Sequence, residues 1–275
     1  MKVHVALPTY GAGCTPEEIL EQGVAAEALR FDGIASTDHL FVQPGNPERF
    51  ERVFEAITVL SALAPLTRRV SLVTSVVILP MRNPFEVAKQ AVTLDQMSGG
   101  RLILGLGAGW NEDEFKNLGA DFHTRGRRLD EGIRLFRHLF SGSRDPFQGT
   151  YYSYSSGAFG PLPVSREKLP ILVGGTSDRA LNRAATMADI WESNPVIGPE
   201  QFRGLRERLS RLAGDRVIEA GARINVVAGA AAMREQASAY EAAGAEHLTL
   251  EFFPFDGFAD RLRLFASEVL PALER

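Results

Sequence analysis

Short apolar runs alternate with segments of helical period from one end of the chain to the other. Val3–Leu7 is a strand run, and Thr15-Pro16-Glu17-Glu18 then supplies an N-cap, a proline at the first helical position and acidic first-turn residues. Ile19, Leu20, Val24 and Leu29 follow at helical spacing. Further strands are predicted at Gly33–Thr37, Val70–Ile78, Arg101–Leu106, Pro170–Val173, Asp189–Glu192, Arg223–Val227 and His247–Phe252. Helices are predicted over Phe50–Ala64, Pro84–Met97, Ser177–Met187, Pro199–Leu212, Met233–Ala243 and Gly257–Leu270. Asn111–Phe140 reads as helix in two pieces, broken near Gly119 and restarted at Thr124. Gln148–Pro163 is rich in Gly, Tyr, Ser and Pro and predicts a hairpin or an irregular excursion. The aromatic stretch Phe147–Phe159 has two readings, a lid and simple loop packing.

Alternating β and α segments with near-continuous Val/Ile/Leu strands imply a parallel sheet covered by helices. About eight such repeats in 275 residues predict an α/β protein, a single-domain (β/α)8 TIM barrel over residues 1–275. An open sheet of six or seven strands is the other arrangement. A hydrophobic fraction of 45% and a charged fraction of 23% are those of an ordinary globular protein. The net charge of −4 argues against nucleic acid as a partner. Cys14 is the only cysteine, which excludes an intrachain disulfide and a Cys-based metal cluster. Histidines and carboxylates are scattered without ligand spacing, so no metal site is expected. No apolar run reaches transmembrane length, and Met1-Lys2 leads into a strand without a signal-peptide pattern. The expectation is a cytoplasmic protein with no membrane partner.

In such a barrel the chemistry sits at the C-terminal ends of the strands. Those ends carry Pro8–Tyr10, Asp38-His39, Ser75-Val76, Gly107–Trp110, Gly174–Ser177, Ser193-Asn194, Gly229 and Glu251. Gly105, Gly107 and Gly109 are not a Rossmann fingerprint, because its third glycine would fall on Trp110. Either the strand needs small residues for packing, or a flat ring lies against bare backbone with Trp110 walling the pocket; the polar neighbouring strand ends favour the second. Gly174-Gly175-Thr176-Ser177-Asp178 runs from strand into helix. Its N–H groups, hydroxyls and helix dipole suit a phosphate, and Thr176 or Ser177 would equally serve as a plain N-cap. His39 is the natural general acid/base of the set, since histidine exchanges protons near neutral pH. His4, His123, His138 and His247 read as structural or exposed.

The chain also resembles the bacterial luciferase-like monooxygenase family, and in particular its branch of coenzyme F420-dependent oxidoreductases. The resemblance rests on TDH at 37–39, TSVVILPMRNPFEVAKQAVTLDQMSGGRLILGLGAGW at 74–110, EFKNLGADFHTRGRRLDEGI at 114–133, GPLPV at 160–164 and LVGGTSDRALNRAATMADIW at 172–191. It implies the (β/α)8 fold, coenzyme F420 as cofactor and hydride transfer to or from a small-molecule substrate. By resemblance Asp38 and His39 sit at the deazaflavin ring, with His39 as acid/base. Ser75-Val76 matches a non-proline cis peptide of several F420 enzymes. Gly107, Ala108, Gly109, Gly174, Gly175 and Thr176 match cofactor-contacting segments. Tyr10, Phe41, Trp110, Asn194 and Glu251 are candidates for the substrate wall. Trp110 stands where the sugar-phosphate dehydrogenases of this branch carry an acidic residue, which points away from sugar phosphates. The family often forms homodimers, and a homodimer is therefore expected. Two other functions share the fold: an FMN-dependent monooxygenase using reduced flavin and oxygen, and a non-catalytic flavin-binding barrel.

Overall fold

The predicted strands become the staves of one closed sheet. In the computed structural model, which describes residues 1–11, 13–41, 52–165 and 169–273, eight strands run parallel. They are β1 (Lys2–Ala6), β2 (Gly33–Ser36), β3 (Ser71–Thr74), β4 (Leu102–Gly107), β5 (Ile171–Gly174), β6 (Ile190–Ser193), β7 (Glu219–Asn225) and β8 (His247–Glu251). Each pairs with the next, and β8 pairs back onto β1 with Val3 opposite Leu248, so the barrel is closed. Closure leaves these strands no open edge.

Between them lie α1 (Pro16–Ala28), α2 (Ala56–Leu63), α3 (Pro84–Ser98), α4 (Glu112–Asn117), α5 (Arg125–Phe140), α6 (Asp178–Met187), α7 (Pro199–Ala213), α8 (Ala230–Ala242) and α9 (Phe258–Glu268). Local sequence explains their ends. Thr15 and Glu18 form a reciprocal capping box at α1, Asn83 and Pro84 start α3, and Gly99 closes α3 with φ 71°. The helix predicted from Phe50 is shorter: Phe50 lies outside the described residues, 52–55 are not helical, and α2 begins at Ala56, capped by Glu55. Among the described residues no helix is long and apolar enough to cross a membrane.

Outward-facing strand residues such as Val5, Ile34, Leu104, Val173 and Leu250 pack against Leu60, Phe136, Phe202 and Phe265 of the helices. Each fully buried Leu or Phe contributes roughly 1.5–3 kcal/mol relative to exposure. Two strand expectations need correction. The seventh strand is Glu219–Asn225, not Arg223–Val227. The long strand predicted at Val70–Ile78 is broken, with Ser71–Thr74 and Val77–Ile78 as separate pieces. The aromatic stretch is a short hairpin, Phe147–Gln148 against Ser153–Tyr154. Glu131 of α5 anchors it by accepting the N–H groups of Thr150, Tyr151 and Tyr152 at 2.8, 2.7 and 2.6 Å. That anchoring supports the packing reading.

Candidate active site

The break after β3 is a bulge in the barrel wall. On β3 and its continuation, Val73 and Val77 pair with Ile103 and Leu106 of β4, so four steps on one side face three on the other. The extra residue falls at Ser75-Val76, and extra residues of this kind re-aim side chains at strand ends. The Ser75-Val76 peptide is cis, as the resemblance implied. Val76 projects toward β4 and β5. A Cβ on Gly107 would lie 2.5 Å from Val76 Cγ2, and one on Gly174 would lie 3.2 Å from Val76 Cγ1. A Cβ on Gly105 would lie 1.8 Å from the Thr74 carbonyl oxygen, and one on Gly109 2.7 Å from both Ile78 and Phe115. All three glycines of β4 and its exit therefore have a packing reason, one the sequence reading had ranked second.

Asp38 holds the far side of the bulge. Its carboxylate accepts the Ile78 N–H at 3.0 Å and pairs with the Arg82 guanidinium at 2.5 Å. Next to it, His39 Nδ1 lies 3.0 Å from Glu114 Oε2. Glu114 reaches this point because Asn111 caps α4, accepting from the N–H groups of Asp113 and Glu114 at 3.1 and 3.3 Å. Its other oxygen accepts the N–H groups of Leu40 and Phe41 at 2.6 and 3.1 Å. Burial pushes the Glu114 carboxyl up, but the His39 hydrogen bond and these N–H groups outweigh it and hold it below the usual range. An ionised acceptor at Nδ1 assigns the imidazole proton to that nitrogen. Trp110 lies edge-on to the His39 ring at 5.8 Å and is 58% exposed. Leu40, Phe41, Val196 and Val227 are likewise exposed large apolar residues at or just beyond the strand ends. The mouth of the barrel thus carries a polar dyad among apolar surfaces.

After β5, Gly175 takes φ 119°, a conformation that favours glycine, and its carbonyl accepts the Trp191 indole N–H at 2.7 Å. Ser177 caps α6 by accepting the Ala180 N–H at 3.2 Å, while Asn194 donates to Thr176 Oγ1 at 3.4 Å. The hydroxyl cap satisfies one of the four first-turn N–H groups that have no partner within a helix.

Below the mouth, the barrel interior divides. Ala35, Val73, Leu172 and Ile190 form an apolar cluster joined by Val76 and Ile103. The other side is charged. Arg223 of β7 donates from Nε to Glu251 at 3.0 Å, from Nη1 to the Ser75 carbonyl at 2.7 Å and from Nη2 to Thr37 Oγ1 at 2.9 Å. Glu192 accepts from the hydroxyls of Ser75 and Thr249 at 2.5 and 2.6 Å. His247 sits between Glu192 and Glu219 at 3.5 and 3.2 Å and stacks on His4 at 5.2 Å. Burial lowers His247, but the two carboxylates more than offset it, raising it to about 9. Glu192 is raised by burial and lowered further by His247, Arg223 and Ser75, to about 2. His4, buried beside a cationic neighbour, falls to about 4.

A family model for luciferase-like monooxygenases matches residues 1–266. The chain belongs to this family. An uncharacterized protein of Mycobacterium bovis is 38% identical over 159 residues, 58% of this chain and 54% of that protein. An F420-dependent glucose-6-phosphate dehydrogenase of Microbacterium testaceum is 32% identical over 210 residues, 75% of this chain and 60% of that enzyme. An FMNH2-dependent dimethylsulfone monooxygenase of Pseudomonas putida is 29% identical over 143 residues, 51% of this chain and 39% of that enzyme. The matches thus span from under half to about three-fifths of these relatives' lengths. Among solved structures, the monooxygenase RslO1 of Streptomyces bottropensis superposes with TM-score 0.84 at 22% identity, covering 99% of both chains. An F420-dependent secondary alcohol dehydrogenase bound to an F420–acetone adduct gives 0.83 at 18% identity, covering 100% of this chain and 99% of that one. Both share the barrel.

Within this luciferase-like barrel, the structure brings together His39 with Trp110, Val76 with Gly107 and Gly174, and Thr176 with Asn194. Tyr10 and Glu251 also meet, the phenol donating to the carboxylate, but both are 1% exposed, so they form a buried pair beneath the mouth. Phe41 stands at the rim, 48% exposed. Sequence reasoning passed over Glu114, Arg82, Glu192 and Arg223. Glu114 had one signal: beside Phe115, it is the acid of the Glu112–Glu114 run that the helix turns inward, being 1% exposed.

Proposed function

We propose that this luciferase-like protein is an oxidoreductase that moves a hydride between coenzyme F420 and a carbonyl, alcohol or activated alkene of a small organic substrate. The observation that carries this reading is the His39–Glu114 pair beside exposed Trp110, at the ends of the two strands that flank β3 and its Val76 bulge. The residues present fit such a cofactor. Val76, framed by Gly107 and Gly174, with Ala108 and Gly109 following at the exit of β4, offers a firm apolar step for a flat ring, and Gly175-Thr176 with the start of α6 offers N–H groups for a phosphate. Asp38 and Ser75 then serve by holding that step. When bound, the reduced deazaflavin supplies the hydride.

Glu114 fixes the His39 ring and keeps its proton on Nδ1, so the acid–base role falls to Nε2. His39 would give the substrate oxygen or carbon its proton in reduction and take it back in oxidation. Trp110 and Phe41 would shield the site from water on the substrate side. The F420 reading draws on the dehydrogenase relative matched over 75% of the chain, against 51% for the FMN enzyme.

The deciding experiment is titration of the purified protein with F420 and with FMN. Tight F420 binding supports the proposal; nanomolar FMN binding with no F420 binding would sink it in favour of a flavin-dependent monooxygenase. On a turned-over substrate, His39→Ala should lower kcat by about 10²–10⁴. Unchanged turnover would remove the acid–base assignment.

A further inference from the structure

Arg223 crosses the barrel. It leaves β7 and ends under Ser75, after β3, on the opposite side of the eight-stranded ring. Its guanidinium uses three directions at once, toward Glu251 at the end of β8, Thr37 just after β2 and both the carbonyl and hydroxyl oxygens of Ser75. Arginine's planar fork allows this; a lysine ammonium on a flexible stem does not reproduce it. Burying a guanidinium is costly even when it is paired, and apolar side chains of similar volume commonly fill such space at no loss of stability. The same barrel demonstrates that alternative, since Ala35, Val73, Leu172 and Ile190 fill its other side. Space filling therefore does not account for Arg223. What distinguishes it is where its hydrogen bonds end.

We propose that Arg223 is a positioning residue, which, with Glu192, holds the Ser75-Val76 bulge at a fixed height beneath the cofactor ring. The proposal rests on the reading above, in which that ring lies on Val76. Ser75 is gripped from below by Arg223 at its carbonyl and by Glu192 at its hydroxyl, while its N–H donates to the Ser36 carbonyl at 2.9 Å. Asp38 grips the segment's other end at Ile78. Val76 lies between these two clamps with its side chain against Gly107 and Gly174. Removing the lower clamp frees the bulge without touching any residue that faces the cofactor.

The test uses Arg223→Lys and the milder Thr37→Val, which removes one acceptor of the fork without stranding a buried charge. Amide hydrogen exchange of the cofactor-free protein is followed over residues 75–78 and over β5, and the Kd is measured for whichever of F420 or FMN the wild type binds. Arg223→Lys should speed exchange at 75–78 at least tenfold, change β5 less than threefold and weaken cofactor binding at least tenfold. Thr37→Val should move the first and last readouts about threefold. Exchange that is unchanged at 75–78, or raised uniformly through the barrel, overturns the proposal, as does an unchanged Kd. If Arg223→Lys does not fold, the same outcomes in Thr37→Val decide. If the wild type binds neither F420 nor FMN, the functional reading fails, and the exchange experiment alone judges whether Arg223 holds the bulge.

Discussion

The two sides of the barrel interior solve one packing problem in different ways. From β2 to β6 the space is filled by Ala35, Val73, Ile103, Leu172 and Ile190, whose contacts have no direction. From β6 round to β1 it is filled by Glu192, Glu219, Arg223, His247 and Thr249, which pair donor with acceptor, and by His4, which stacks on His247. The apolar side shows that closing the barrel requires no charge. The charged side adds reach, because its hydrogen bonds end on Ser75, the residue that shapes the mouth. One side serves the fold, and the other ties the fold to the site.

The strongest way to break that contrast is Arg223→Met, which takes the cationic partner from buried Glu251 and should cost about 3–5 kcal/mol in urea unfolding. Adding Glu251→Met makes the charged side resemble the apolar one and should recover most of that loss. No recovery would mean that the two sides are not interchangeable as packing. On the apolar side, Leu172→Ala should cost about 3 kcal/mol through the cavity it leaves, with no neighbouring change able to restore it.

Gly221→Ala sharpens the comparison at a smaller scale. A Cβ there would lie 1.8 Å from His247 Nε2, so the His4–His247 stack must shift, at about 2 kcal/mol. A neutral result would show that the stack is looser than its geometry.

The pH dependence belongs to the charged side alone, and its two limbs have opposite sign. Glu192 and Glu219 at about 2 lie below the ordinary carboxylate value of 4.5, and His4 at about 4 lies below 6.5. In those windows the unfolded chain binds more protons, so stability rises with pH up to about 6.5. His247 at about 9 lies above 6.5, so the folded chain holds more protons there and stability falls from about 6.5 to 9. Urea midpoints against pH should therefore peak near 6.5, and His247→Gln should erase the alkaline limb. A wild-type curve that stays flat above 6.5 would contradict the buried cationic His247.

The same contrast decides what could be read from the sequence. Strands with apolar interiors announce themselves, and their alternation with capped helices was enough for the closed barrel. β7 did not. Glu219–Asn225 reads EAGARIN, with Glu219, Gly221 and Arg223 turned inward, so an apolar-run criterion slid the strand toward Val226 and Val227. The charged side was missed for that reason. Strand-end logic singled out His39, Trp110 and Ser75-Val76, because those residues stand where chemistry is expected. It could not find their supports. Glu114 lies 75 residues from His39 and Arg223 lies 148 from Ser75, and no local periodicity encodes such distant pairs.

The two tryptophans give the protein its own optical gauge. Trp110 is 58% exposed beside His39, whereas Trp191 is fully buried with its indole N–H on the Gly175 carbonyl. One should emit at long wavelength and be open to iodide, the other at short wavelength and shielded from it. A change at the mouth and a change at the Gly175 turn therefore fall in separate parts of one emission spectrum, without any added label.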